Sequence, residues 1–156
     1  MIGWLYEAIQ SLLTRDVQFP LTFLFERLLL KTIQVRQMKI PQNLYENYHA
    51  HVYFNAQTIA QAEQLCVEAG RRFKVKVGRV HRKIVGPHPH WSCQLAFNAA
   101  QFQELILWLE QNRNGLNILI HGLTGDDLED HTVHASWLGE PQKLRLGFFS
   151  AYTQSQ

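Results

Sequence analysis

Histidine is the residue whose distribution in this chain stands apart. There are 8 in 156 residues: His49, His51, His81, His88, His90, His121, His131 and His134. None precedes His49 and none follows His134. Neutral imidazole is the commonest metal ligand, and its charge changes near physiological pH, so a cluster suits metal binding or proton transfer. Taken singly, most histidines are surface or hydrogen-bonded residues. Two His-x-His pairs, at 49/51 and 88/90, sharpen the signal, because alternate side chains share one face of a strand. Crowded imidazoles serve no structural purpose that asparagine or serine would not serve better. The acids of Asp126–Asp130 read instead as a solvated turn, with Asp126 as helix cap and Glu129 as its N3 partner. His134 lies beyond the strand ends, as a surface residue.

The elements that must position these side chains follow from the apolar spacing. Tyr48, Ala50, Val52 and Phe54 alternate with His49, His51 and Tyr53, the period of a strand. Thr58 and Gln61 have capping-box spacing. Ile59, Ala62, Leu65, Cys66 and Ala69 mark a helical stripe expected to stop at Gly70. Phe73, Val75 and Val77 alternate with Lys74 and Lys76, a second strand running toward His81. Gly86-Pro87-His88-Pro89 is a turn or rigid loop. Trp91, Cys93, Leu95 and Phe97 form a third strand. Asn98 and Gln101 cap a helix carrying Phe102, Leu105, Ile106 and Leu109, which ends at Asn114-Gly115. Leu116, Ile118 and Ile120 make a fourth strand. The order is βαββαβ, an α+β, ferredoxin-like sandwich with two helices on one sheet face.

Alternation assigns the faces. Tyr48, Ala50, Val52 and Phe54, the third-strand set from Trp91 to Phe97, and Leu116, Ile118 and Ile120 turn toward the helices. His49, His51, Tyr53, His88, His90, Ser92, Gln94, Asn117 and His121 turn to the open face. With strand order four-one-three-two and strands one and three taken as parallel, His49, His51, His81, His88, His90 and His121 are expected to converge at one end of that face. A metal site is the chemistry this convergence favours.

Composition narrows the classes. Lys+Arg is 15 and Asp+Glu is 13, a net charge of +2, too small a basic excess for a nucleic-acid binder. Val17–Leu30 is broken by Pro20, Glu26 and Arg27, so no transmembrane span is expected. Met1-Ile2-Gly3-Trp4 lacks the basic start of a secretory signal. Two cysteines, Cys66 and Cys93, make no disulfide framework and suit a reducing compartment, so the expected location is cytoplasmic. Residues 1–37 read as helical, with stripes at Leu5, Ala8, Ile9, Leu12 and Leu13 and at Leu21, Leu24, Phe25, Leu28 and Leu29. Either they are an N-terminal helical extension of a domain spanning 38–156, or the native protein begins at Met38.

These motifs together resemble the small aromatic ring-cleaving dioxygenases of the DOPA 4,5-dioxygenase family. The stretches that carry the resemblance are Tyr48–Phe54, Gly86–Pro89, Asn112-Arg113, Ile118–His121, Thr124–Leu128, Asp130-His131 and Ala135–Gly139, in the family's order. It covers roughly residues 45–148 and leaves residues 1–37 unmatched, which favours Met38 as the functional start. Gly122 departs from it, since the family usually has proline after the fourth-strand histidine.

The resemblance implies a non-haem Fe(II) enzyme that opens a DOPA-like catechol ring with dioxygen, with zinc able to occupy the site in purified protein. Within it, His51, His88 and His121 are the expected ligands. His90 is the alternate to His88, or a substrate contact. His49 and His131 are expected in acid–base work, and Arg79 and His81 at the substrate's charged end. A homodimer is expected, because one layer of helices leaves the other sheet face bare; the chain's own segment 137–149 is the other candidate cover. Two further readings stand beside this one. They are a zinc-dependent hydrolase or isomerase, and a non-catalytic metal- or ligand-binding ferredoxin-like dimer.

Overall fold

The computed structural model describes residues 40–153, and the helical reading of residues 1–37 lies outside the described residues. The βαββαβ order is present. Strand β1 (Asn47–Phe54) leads through helix α1 (Ile59–Phe73) to β2 (Lys76–His81). Then come β3 (Trp91–Asn98), helix α2 (Ala99–Asn112) and β4 (Asn117–Gly122). Beyond these lie a short helix α3 (Asp127–Asp130), a further strand β5 (Ala135–Leu138) and a terminal helix α4 (Gly147–Thr153). The sheet is therefore five-stranded, in the order β2-β3-β1-β4-β5. The expected four strands lie in the expected order, and β5 adds an edge beside β4, with Ile118 opposite Leu138 and His121 opposite Ala135.

The core lies between the sheet and helices α1 and α2, and alternation predicts its membership. Tyr48, Ala50, Val52, Phe54, Cys93, Leu95, Phe97, Ile118 and Ile120 are buried against Ala62, Leu65, Cys66, Ala69, Leu105 and Leu109. Leu105 and Leu109 are fully buried, and each such side chain contributes about 1.5–3 kcal/mol. Helix α2 opens on the expected capping box. Asn98 Oδ1 accepts from the Ala100 and Gln101 N–H groups, and Gln101 reaches back to the Asn98 N–H. The positive φ of Asn114 and Gly115 turns the chain after its end.

Several expectations are corrected. Strands β1 and β3 are antiparallel, with Phe54 opposite Trp91 and Asn47 opposite Asn98. The crossover through α1 leaves β2 running with β1, and the reversal into β3 then opposes both. The start of β3 therefore lies beside the end of β1, away from His49. Thr58 makes no side-chain cap on α1; its hydroxyl pairs with Asn55, and Gln61 donates to the Arg113 and Asn114 carbonyls. Gly70 does not stop α1, which continues to Phe73. It is the point of closest approach to β2, where a Cβ would fall on Val77. Residues 73–75 are accordingly not strand.

The register of β2 on β3 shifts between Val77 and Val80. Val77 pairs with Leu95 and Val80 with Cys93, so Gly78 and Arg79 together oppose Gln94. This bulge turns Arg79 and His81 to the open face, whereas unbroken alternation from Val77 would have buried both against the helices.

Candidate metal centre

Five histidines meet on the open face, and three routes bring them there. Period-two alternation on β1 projects His49 and His51 side by side. Strand β4 returns antiparallel, setting His121 opposite His49 and Leu119 opposite His51. His88 arrives by a loop rather than by strand direction. Gly86, with φ of 58°, reverses the chain, and the His88 N–H closes a turn on the Val85 carbonyl. The Pro87 carbonyl then accepts from the Arg145 N–H at 2.8 Å, pinning the loop to the C-terminal segment. His131 is delivered by α3. Asp126 caps that helix, accepting from Leu128 N and Glu129 N. Asp130, 1% exposed, accepts from the Thr124 hydroxyl at 2.6 Å. The expected reading of Asp126 as a cap holds, while Glu129 lies 3.7 Å from His134 rather than closing a box.

The rings are in contact. His51 and His121 stack with centroids 5.3 Å apart and planes 7° apart. His51 and His88 centroids are 4.0 Å apart, and His121 and His131 are 4.4 Å apart. His51, His88 and His121 are 5%, 7% and 2% exposed. Burial first, then the neighbouring His88 and His121, holds His51 well below the ordinary histidine range. Burial, followed by His131 and His121, pushes His88 down to about 3. Burial and His131 lower His121 to about 4 against an opposing pull from the Gly122 carbonyl. His49 is lowered by burial and then by His131, with Asp130 and Asp127 working the other way. Near neutral pH these four rings are uncharged, which is the protonation state of a metal ligand.

Their tautomers are fixed by hydrogen bonds. His121 donates from Nδ1 to the Gly122 carbonyl at 2.9 Å, and His131 donates from Nδ1 to the Asp127 carbonyl at 2.7 Å. The neutral His121 ring is left with a lone pair on Nε2, the arrangement common to metal-bound histidines. His51 Nε2 lies 3.2 Å from His121 Nε2. With one lone pair already there, His51 supplies the proton of that contact. Replacing the proton by a cation makes the pair two ligands of one ion: nitrogens about 2.1 Å from a shared metal at an angle of about 100° are separated by this distance. The donor set is all nitrogen and fits a first-row transition metal.

Among the described residues, two groups of ligand atoms are mutually close enough to hold an ion: His49, His51 and His121, and His51, His88 and His131. His51 belongs to both, and the expected trio of His51, His88 and His121 is divided between them. His90 is not brought in. It is exposed, bonds to Gln142, and faces Tyr53 at 5.9 Å from the far side. The parallel pairing expected of β1 and β3 is what had placed it with the others. His134 is half-buried rather than a bare surface residue, its Nδ1 2.6 Å from the Tyr45 hydroxyl.

A cavity of about 600 Å³ opens beside the cluster, lined by His51 and His88 at one end and by Lys76, Arg79, His81 and Gln94 among others. Arg79 and His81 thus share a space with the histidines. Two orienting residues went unnoticed in the sequence. The Tyr53 hydroxyl is 2.8 Å from His88 Nδ1, and Gln94 Nε2 donates to His49 Nε2 at 3.1 Å. The available signal was their parity: both share the open face with the histidines. Burial raises the Tyr53 phenol, so it meets His88 as a neutral hydroxyl. Gly122 has its own reason to lack a side chain, since a Cβ there would overlap the Tyr45 ring.

Residues 48–148 match the model of the Dopa 4,5-dioxygenase family. The DOPA 4,5-dioxygenase of Amanita muscaria is 30% identical over 111 residues, 65% of this chain and 48% of that protein. An uncharacterized 21.2 kDa protein of Botryotinia fuckeliana is 29% identical over 121 residues, 70% of this chain and 66% of that one. The chain therefore spans about half the length of the first relative and about two thirds of the second. A crystal structure from Nostoc punctiforme, of a protein provisionally assigned as a dioxygenase, is similar with a TM-score of 0.67 and 41% identity. That likeness covers 69% of this chain and 94% of the other. The matched span contains β2 to β5, β1 from its second residue, and His49, His51, His88, His121 and His131, and on that match the chain belongs to the Dopa 4,5-dioxygenase family.

Proposed function

We infer that this protein is a non-haem iron(II) extradiol dioxygenase that opens the ring of a DOPA-like catechol. The observation that carries the reading is the meeting of neutral, buried imidazoles at one end of a cavity with room for an aromatic ring. Family membership supports the same chemistry. Iron(II), when bound, supplies open positions for the catechol oxygens and dioxygen and passes charge between them. Both oxygen atoms enter the product, so the overall reaction needs no external reductant.

The chain's own residues have separate tasks. His51, His88 and His121 are the proposed ligands, with Tyr53 holding the His88 ring and the Gly122 carbonyl holding that of His121. His131, its Nδ1 tied to the Asp127 carbonyl, takes a proton from a catechol hydroxyl and later returns it. His49, held by Gln94, contacts the other hydroxyl. Arg79 and His81 receive the substrate's charged end across the cavity. Zinc occupies the site in purified protein where it outcompetes iron(II) for nitrogen ligands. The protein works in the cytoplasm, where the free, buried Cys66 and Cys93 remain thiols.

The reading includes a homodimer. The chain's own C-terminal segment covers part of the open face, where Trp137 and Leu144 pack on Tyr53 and Leu119. Leu123 and Leu128 nonetheless remain exposed and offer apolar surface to a second copy. Sedimentation at micromolar concentration should give twice the 18.2 kDa chain mass; a monomer would remove this part.

The test of the activity is anaerobic loading with iron(II), followed by a catechol panel in air. A yellow ring-opened product, with one dioxygen consumed per catechol, is expected. Hydrolytic activity of a zinc form, with no oxygen uptake by the iron form, would overturn the reading.

A further inference from the structure

The cavity beside the histidines has one sign of charge. From Ala69 to Gln103 the chain carries Arg71, Arg72, Lys74, Lys76, Arg79, Arg82 and Lys83 and not one Asp or Glu. That stretch forms β2, β3 and the loop between them, and so most of the cavity wall. Lys76, Arg79 and His81 line it, and among the described residues no carboxylate does. Arg82 is paired outside the cavity with Glu63. Among the described residues neither Lys76 nor Arg79 forms an ion pair. The acids whose charge reaches the cluster, Asp127 and Asp130, stand on α3, outside the lining. Arg79 owes its place to the bulge in β2, which costs a ladder position and re-aims a side chain.

We propose that the cavity selects catechols whose side chain ends in a carboxylate and carries no amine, with Arg79 as the specificity-determining residue. This rests on the ring-cleaving reading above. With the hydroxyls at the histidine end, the opposite side of the ring faces β2. There a guanidinium takes a carboxylate through two parallel hydrogen bonds, which an ammonium such as lysine's does not reproduce. An amine on the same side chain enters a space bounded by the cationic Lys76 and Arg79. It finds no carboxylate to pair with, and like charges there repel it. A zwitterionic amino acid gains at one group and loses at the other. A simple catecholamine only loses.

The test is equilibrium binding to the zinc-loaded full chain under anaerobic conditions, which needs no turnover. The probes are 3-(3,4-dihydroxyphenyl)propionate, DOPA, 4-methylcatechol and dopamine. The propionate should bind about tenfold tighter than DOPA, with dopamine weakest, and added salt should narrow the spread. In Arg79→Gln the ratio of propionate to 4-methylcatechol affinity should fall by about tenfold. Lys83→Gln, exposed and outside the lining, should leave that ratio as it is. Equal binding of propionate and DOPA, or a ratio unmoved by Arg79→Gln, would overturn the proposal. A strong carboxylate preference in an iron-loaded chain that opens no catechol would sink the dioxygenase reading and leave the selectivity standing. Ring opening without the preference would do the reverse, and failure of all four probes to bind would overturn both.

Discussion

His121 carries the most consequence of any single side chain. Its Nδ1 is committed to the Gly122 carbonyl, its Nε2 stands 3.2 Å from that of His51, and it is 2% exposed. His121→Ala removes a proposed ligand from the open face and touches nothing in the helix-facing core. Bound iron and catechol-dependent oxygen uptake should both fall to background, with circular dichroism unchanged. Retention of full iron would move the ligand role to the group of His51, His88 and His131. His131 differs in kind, because a helix of four residues presents it and its ring also meets Phe149 at 5.3 Å. His131→Gln should keep most of the iron while lowering turnover by about 10²–10⁴-fold, the usual worth of a proton-transfer group. If His131 loses iron as His121 does, its role is to bind metal. The ligand group of His51, His88 and His131 would then be the working one.

Elements decide whether these side chains meet, and the end of β4 is the most exacting place. Gly122 pairs with Tyr48 across the ladder and lies under the Tyr45 ring, which also bonds His134. Gly122→Ala should destabilise the chain by about 1–3 kcal/mol through overpacking, and Tyr45→Ala should recover most of that loss if the ring is the obstacle. Chemical denaturation of the two single variants and the double variant measures both. The open-face placement of His49, His51 and His121 was legible in the sequence, because each strand alternates without a break and side-chain period is independent of partner direction. Partner direction was not legible from alternation: His90 looked convergent only because β1 and β3 were read as parallel. His88 reaches the cluster despite the antiparallel pairing, through the Gly86 turn and the tie from Pro87 to Arg145, a contact between residues far apart in sequence. The bulge at Gly78 and Arg79 was equally hidden, since Val75 and Val77 suggested a regular strand. Strand β5 is four residues long, too short for a period to declare itself.

At the scale of the molecule, the cluster of buried rings is a stability liability in acid that a bound metal would relieve. His49, His51, His88 and His121 are all held below the ordinary value of 6.5, with His88 near 3 and His121 near 4. An unfolded chain titrates these groups at their ordinary value. Between pH 6.5 and about 3–4 the unfolded state therefore binds more protons than the folded one, and stability falls as pH falls. The loss begins near the unfolded pKa and is complete once the folded values are passed. Thermal unfolding of the metal-free protein should thus show Tm dropping steadily from about pH 7 to pH 4. His121→Gln, which removes one such group, should flatten the slope. A cation held by several neutral rings at once binds the folded chain in preference to the unfolded one, so if the cluster is a metal site saturating zinc should raise Tm near neutral pH by mass action. That gain should shrink on acidification, as protons compete for the same lone pairs. Calorimetric scans of the metal-free, zinc-loaded and His121→Gln proteins across this range provide the measurement. A Tm of the metal-free protein that stays level from pH 7 to pH 4 would mean that the rings are not held neutral by burial, and that the cluster is open to water rather than set for a cation.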